Sequence, residues 1–353
     1  MTKFDKKSAD VLRVHQHDIN NFEIVESNYS SNFNIDFVNN QVDSVSSEIN
    51  SRFLPKRQQS DLLASVYEFL EMHRRADRVL SCGTWLEFGI FSDKNKLVFA
   101  NFCKDRLCPM CNWRRSLKLY GQVSAVMDEL EKQGYKFLFL TLTIKNCSAM
   151  ALSSTIDILL KGFTKLFHDN RRVKKAVKGF FRSLEITKNK QTGEYHPHLH
   201  CILAVKADYF KGGNYISQSD WAEIWQKCID TEYLPIIDIR RIKSGGKGVS
   251  GAVREVAKYS VKGSDFLNSS DIDETAETVS DFLKALSFRR LVSFTGVFAD
   301  IRKQMKLDDI EDGNLIQTDI DNMRSDVAIA IVRYGYKNGC YTLENIQKGG
   351  VSA

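Results

Sequence analysis

With 353 residues, 43% of them hydrophobic, and a net charge of +6, the chain can bury a sizeable core in one large domain or two to three small ones. No apolar run approaches the roughly 20 residues that span a bilayer, and the N-terminus Met1-Thr2-Lys3-Phe4-Asp5 lacks a signal peptide's apolar segment. Eight cysteines, half of them clustered, fit metal binding in a reducing compartment better than a disulfide framework, so a cytoplasmic location is expected.

Residues 1–53 are rich in Asn, Ser and acidic side chains; between 14 and 51 there are six acidic residues and no Lys or Arg. This stretch reads as a disordered or loosely attached acidic arm. Residues 54–134 follow as a second region. A helix is expected over 60–79, then a β-hairpin module closed by cysteines over 82–111, then a basic amphipathic helix over 114–133 stopped by Gly134. The core, 135–305, reads as strand 136–144, helix 153–167, basic helix 171–178, and strands 180–187 and 197–205 joined by a polar turn. Helix 219–229, strand 236–242 and helix 251–262 come next. That order predicts an α+β fold, a ferredoxin-like split βαβ antiparallel sheet with helices on one face. A polar gap at 269–277, a helix near 279–288 and a less legible extension, 306–353, complete the chain. Basic runs at 104–118, 171–178 and 240–262 are the electrostatic footprint of a nucleic-acid partner.

The most informative stretch is His196-Pro197-His198-Leu199-His200, which enters the apolar run Cys201-Ile202-Leu203-Ala204-Val205. On a strand, His198 and His200 share one face while Leu199 points into the opposite layer. Two imidazoles so placed can grip a divalent cation, Mg²⁺ or Mn²⁺. Glu185, on the strand expected to pair with this one, is the leading third ligand; Glu194 and His196, at the turn, are weaker alternatives. A strand end with solvated histidines is the plain alternative. Downstream, Glu255 and Tyr259 stand four residues apart in a helical pattern, on one face. A phenol needs a nearby cation or base to act as a nucleophile, and the metal, Lys258 or Lys262 would supply it. The glycine-rich segment 244–251 before this helix suits either phosphate approach or a simple flexible loop.

Cys82, Cys103, Cys108 and Cys111 have the spacing C-x20-C-x4-C-x2-C, which fits one tetrahedral structural Zn²⁺; a set of buried free thiols is the alternative. Such a zinc site would orient the helix beginning Trp113-Arg114-Arg115, whose arginines are expected to track a DNA backbone. No G-x-x-x-x-G-K-[ST] motif is present.

Together these segments resemble the HUH-type replication initiators of small rolling-circle plasmids, in the family with a single catalytic tyrosine. The likeness rests on Phe139-Leu140-Thr141-Leu142-Thr143, the histidine motif, Glu255-x-x-x-Tyr259 and Cys108-Pro109-Met110-Cys111, and it covers about residues 80–300. It implies that 135–305 is a nicking domain in which Tyr259 cuts one strand at the double-strand origin and keeps a 5′-phosphotyrosyl link. Glu255 would activate water for the terminating cleavage. The implied partners are origin DNA, single-stranded or extruded as a hairpin, with a host helicase and a host DNA polymerase, and no membrane. Other readings are an HUH transposase or relaxase, although relaxases usually place the tyrosine before the histidines. A non-catalytic zinc DNA-binding regulator or a small-substrate phosphohydrolase would fit parts of the pattern.

Overall fold

The computed structural model describes residues 35–243, 246–257, 266–267, 271–318 and 328–349. Its first elements are α1 (Ile35–Glu48), a π-helical turn (Ile49–Phe53), α2 (Leu54–Phe69), α3 (His73–Leu80), β1 (Trp85–Ile90), β2 (Asn95–Ala100) and α4 (Pro109–Lys132). The middle of the chain supplies β3 (Lys136–Thr143), α5 (Ala149–His168), α6 (Arg171–Ala176), β4 (Val177–Lys188), β5 (Tyr195–Val205), α7 (Gln218–Ile229), β6 (Ile237–Ile242) and α8 (Gly246–Val256). The last part contains α9 (Ile272–Leu286), β7 (Val292–Gly296), α10 (Val297–Gln304), β8 (Ala330–Lys337) and β9 (Cys340–Lys348). Two compact units result, one from 35–55, 83–101 and 328–349, the other from 56–82 and 102–318. No described helix is long and apolar enough to cross a membrane.

The first unit is an antiparallel sheet in the order β2-β1-β8-β9. Leu86, Phe88 and Ile90 alternate with more polar residues, and the pairing register sets them beside Tyr334, Val332 and Ala330 on one buried face. Residues 35–53, expected to belong to a loose arm, are helical here. Val38, Val42, Val45, Ile49 and Phe53 recur every three to four residues and are buried, a narrow apolar stripe that the Asn- and Ser-rich composition hides. Tyr334 ties this helix to the sheet by donating to the Val42 carbonyl at 3.2 Å. The β8–β9 hairpin turns at Asn338-Gly339, both with positive φ (52° and 83°), as the twist of a two-residue hairpin requires.

The second unit contains a five-stranded sheet, β6-β3-β5-β4-β7, in which every neighbouring pair is antiparallel. It follows that β3 and β4 run parallel with β5 between them, and that β5 and β6 run parallel with β3 between them. Helices α5 and α7 make the two crossovers, giving two interlocked split βαβ units, an α+β arrangement compatible with the HUH fold. Where the sequence suggested helices on one face, the sheet is covered on both. On one side α5 packs Phe163 edge-on to Phe180 with ring centroids 4.9 Å apart. On the other, Leu119 and Val123 of α4, Val253 and Val256 of α8 and Phe298 of α10 close over Phe139, Phe181 and Ile202. The strands are apolar in both registers, Leu138-Leu140-Leu142 as much as Phe137-Phe139, so both faces need cover. The presumed polar gap at 269–277 holds the start of α9: Asp271 caps it by accepting from the Glu274 amide at 2.9 Å, with Asp273 and Glu274 in the first turn. β7 adds a fifth strand outside β4 that the sequence reading did not anticipate.

Candidate functional site

Strand register assembles the polar centre of the second unit. Glu185 on β4 and Thr143 on β3 lie directly across from His198, while Ser183 and Thr141 lie across from His200. All six therefore point to the same face, the one beneath α8. His200 Nε2 is 2.9 Å from Glu185 Oε2 and 3.1 Å from His198 Nε2, and His198 Nε2 is 3.4 Å from the same carboxylate oxygen. The three residues are 6–9% exposed. Burial pushes the Glu185 carboxyl up, but hydrogen bonds and charge from the two histidines overcome it and hold that carboxyl well below the usual carboxylate range.

These donors fit a divalent cation. Neighbouring ligands at about 2.1 Å from an ion stand about 3 Å from one another, which is the size of the triangle formed here. Tautomer points the same way: His198 Nδ1–H donates to the His196 carbonyl at 3.1 Å, so a neutral His198 turns the Nε2 lone pair inward. His200 Nδ1 shares a 3.2 Å hydrogen bond with Thr141 Oγ1, which leaves its Nε2 inward as well. With Nδ1 of each ring donating, two lone pairs and a carboxylate face one point, a donor set able to hold a cation.

Thr141 stands out as a residue the sequence named in a motif without assigning it work; its signal was the two-residue alternation that puts it across from His200. Thr141→Val is expected to weaken Mn²⁺ binding about tenfold, as loss of an outer hydrogen bond to a ligating imidazole does. Calorimetric titration of the DNA-free protein checks this, and an unchanged affinity would remove Thr141 from that role. Ser183 was missed altogether. Its hydroxyl is 2% exposed and has no hydrogen-bond partner among the described residues. The two weaker ligand alternatives stay outside the triangle: His196 bonds through Nδ1 to Asn146 Oδ1 at 2.8 Å, and Glu194 is exposed beside the same asparagine. Burial, then the nearby His198, holds the His196 imidazole below its ordinary pKa.

Helix α8 packs Ala252, Val253 and Val256 into the core, and this seats Glu255 at the rim of the triangle, its Oε1 3.9 Å from His200 Nε2. Tyr259, Lys258 and Lys262 lie outside the described residues.

The four cysteines also converge. Sulfur–sulfur separations are 3.5 Å for Cys82–Cys111, 3.6 Å for Cys103–Cys111 and 3.6 Å for Cys82–Cys108, far longer than a disulfide and close to the edge of a tetrahedron with about 2.3 Å metal–sulfur bonds. Backbone amides of Cys103, Lys104 and Asp105 donate to the sulfurs at 3.2–3.4 Å, the pattern that stabilises thiolates. The donor set therefore suits a metal closed to solvent. Behind it Arg57, fully buried, donates to the Val79 carbonyl at 2.9 Å and to that of Cys82.

Arg114 and Arg115 sit differently from the expectation that they face DNA. They are 6% and 1% exposed. Arg114 donates to the carbonyls of Leu315 and Ile316 at 2.9 and 2.7 Å. Arg115 donates to those of Glu311, Asp105 and Lys104 at 3.1, 3.0 and 2.6 Å. They clamp backbone segments, because a guanidinium's fork of donors is the group best able to satisfy several buried carbonyls at once.

A model of the replication protein family matches residues 94–342, a span containing Glu185, His198, His200, Glu255 and Tyr259. The chain is 42% identical to a "Protein rep" of Streptococcus pneumoniae serotype 2 over 70% of its own length and 77% of the relative's. To a "Protein rep" of Bacillus amyloliquefaciens it is 39% identical over 74% of this chain and 84% of that one. A Staphylococcus aureus "Replication protein" is 32% identical over 60% of this chain and 92% of its own. No solved structure matches.

Proposed function

Because the chain belongs to the replication protein family and is a plasmid replication protein, we propose that it starts rolling-circle replication by cutting one strand of the plasmid origin. In this reading 135–305 is an HUH nicking domain, Tyr259 is the nucleophile, and Glu185, His198 and His200 hold Mg²⁺ or Mn²⁺. The observation that carries it is the buried triangle of two imidazoles and a carboxylate with Glu255 at its rim, one helical turn before the tyrosine in sequence.

The bound cation would polarise the scissile phosphate and offset the charge that builds on it. Tyr259 Oη bonds to phosphorus, the bond from phosphorus to the 3′-oxygen breaks, and that oxygen takes up a proton and leaves as a 3′-hydroxyl. The 5′-phosphate remains on the tyrosine, so the ester's free energy is kept and no nucleotide cofactor is required. Lys258 and Lys262, beside Tyr259 in sequence, favour the phenolate and the incoming phosphate. A host polymerase extends the 3′-hydroxyl while a host helicase unwinds ahead of it. At the end of a round Glu255 accepts a proton from water, whose oxygen attacks the phosphorus at the regenerated origin; the bond from that phosphorus to its 3′-oxygen breaks, and the 3′-hydroxyl so freed displaces the phenol from the phosphotyrosyl link. The four cysteines hold a structural Zn²⁺.

The test is incubation with a single-stranded origin oligonucleotide and Mn²⁺. A protein–DNA adduct that survives denaturation, with a mass equal to the protein plus the 5′-terminated fragment, is expected; cleavage with no adduct would favour a phosphohydrolase and sink the proposal. Glu255→Ala is expected to leave the first cut intact but to slow the water-driven terminating cut about 100-fold, the range for loss of a general base. Over-length single strands would then accumulate, and products of normal length would take the glutamate out of its role.

A further inference from the structure

A cavity of 230 Å³ lies at the β7 edge of the sheet, walled by Arg290, Val292, Phe294, Arg302 and Asp309. We propose that it is a nucleotide subsite that receives a nucleotide flanking the cut phosphate; this rests on the DNA-cutting function proposed above. Position is the first argument. Val292 lies across from Ser183, which lies across from His200. The cavity therefore sits in the same row as the metal triangle, two strand spacings away, about 10 Å. That is a gap neighbouring nucleotides of a stretched strand bridge. Ser183, between them, has the buried hydroxyl without a partner among the described residues, and such a group marks where a further polar atom is expected.

Chemistry is the second argument. The Arg302 guanidinium lies over the Phe294 ring, 4.8 Å from its centroid. It is held there by donating through NH2 to the Asp308 carbonyl at 2.7 Å and through Nε to Gln122 Oε1 at 3.3 Å. These bonds leave NH1 for a ligand, and they fix a planar, cationic surface of the kind on which nucleobases stack. At the rim, Arg290 pairs through NH2 with Asp309 Oδ2 at 2.7 Å, with a side chain 66% exposed; its Nε and NH1 remain for a phosphate oxygen. Two guanidiniums and one carboxylate line the cavity, with Asp308, Glu311 and Asp312 behind them acting on the guanidiniums' charge. A stacking plane joined to an anion site matches a nucleotide better than a bare anion or an apolar side chain.

The experiment uses the Tyr259→Phe chain, so that binding is read without cleavage, and a fluorescent single-stranded oligothymidylate. Adding Arg290→Gln is expected to raise Kd about tenfold and to lower the slope of log K against log salt by about one, the loss of one phosphate contact. Lys132→Gln, at a side chain 76% exposed on α4, should leave both unchanged. With 5-iododeoxyuridine in the oligonucleotide, the photo-crosslink should fall on the peptide containing Phe294. Unaltered Kd and slope in Arg290→Gln, or crosslinks confined to other peptides, would overturn the subsite while leaving the cutting proposal standing. Failure of the Tyr259→Phe chain to bind single-stranded DNA at all would overturn both.

Discussion

Tyr259→Phe is expected to form no covalent adduct with origin DNA and to cut it at least about 10⁴-fold more slowly, the scale on which removal of an enzyme's nucleophile is felt. The substitution deletes one oxygen and keeps the ring, so the thermal midpoint should move little. Cutting is the readout, on denaturing gels with a radiolabelled oligonucleotide. On the proposed reading the cation is held by Glu185, His198 and His200 and not by the phenol, so Mn²⁺ affinity should be unchanged. A variant that still cuts at a comparable rate while leaving free ends would mean that water attacks directly, with Glu255 close enough to His200 to serve as its base. The two outcomes separate a strand-transferring enzyme from a hydrolase.

The second large effect concerns the cysteines. On the structural-zinc reading proposed above, Cys108→Ser is expected to abolish metal binding and to unfold well below the parent protein. Cys108 is fully buried and opens α4, and its sulfur lies 3.5 Å from the hydroxyl of the buried Ser60 on α2. Structural zinc contributes on the order of 10 kcal/mol of apparent folding free energy, comparable with a domain's whole stability of about 5–15 kcal/mol. Metal analysis and thermal unfolding check it, with Cys340→Ser, outside the cluster, as the control. Equal metal content and equal midpoints in the parent and Cys108→Ser would show that the cluster is four packed thiols.

Much of this was legible in the sequence, for reasons that differ between elements. The two-residue period of His198 and His200, and the short polar turn that folds β4 back on β5, were enough to bring Glu185 to the histidines. The 3.6-residue period exposed α4, α5 and α7. Segments governed by distant partners were not legible. Arg114 and Arg115 sit in a basic run that looks like a surface, and only the carbonyls of 311–316, some two hundred residues away, draw them inside. α1 was hidden because a five-residue apolar stripe suffices for a helix with one face on a sheet. β8 and β9 were passed over although Asn338-Gly339 is a strong hairpin signal. The outer partner of β8, β1, lies about 240 residues earlier, and no local pattern reveals such a pairing.

That last pairing has a bearing on how the protein is made. The first unit draws its strands from residues 85–100 and 330–348, so a nascent chain on the ribosome carries β1 with one side unmatched until β8, some 240 residues later, has been made. Premature termination before residue 328 would leave that edge permanently bare, a template for aggregation. Truncated products of this gene should therefore be cleared or precipitate instead of competing with the intact initiator at the origin.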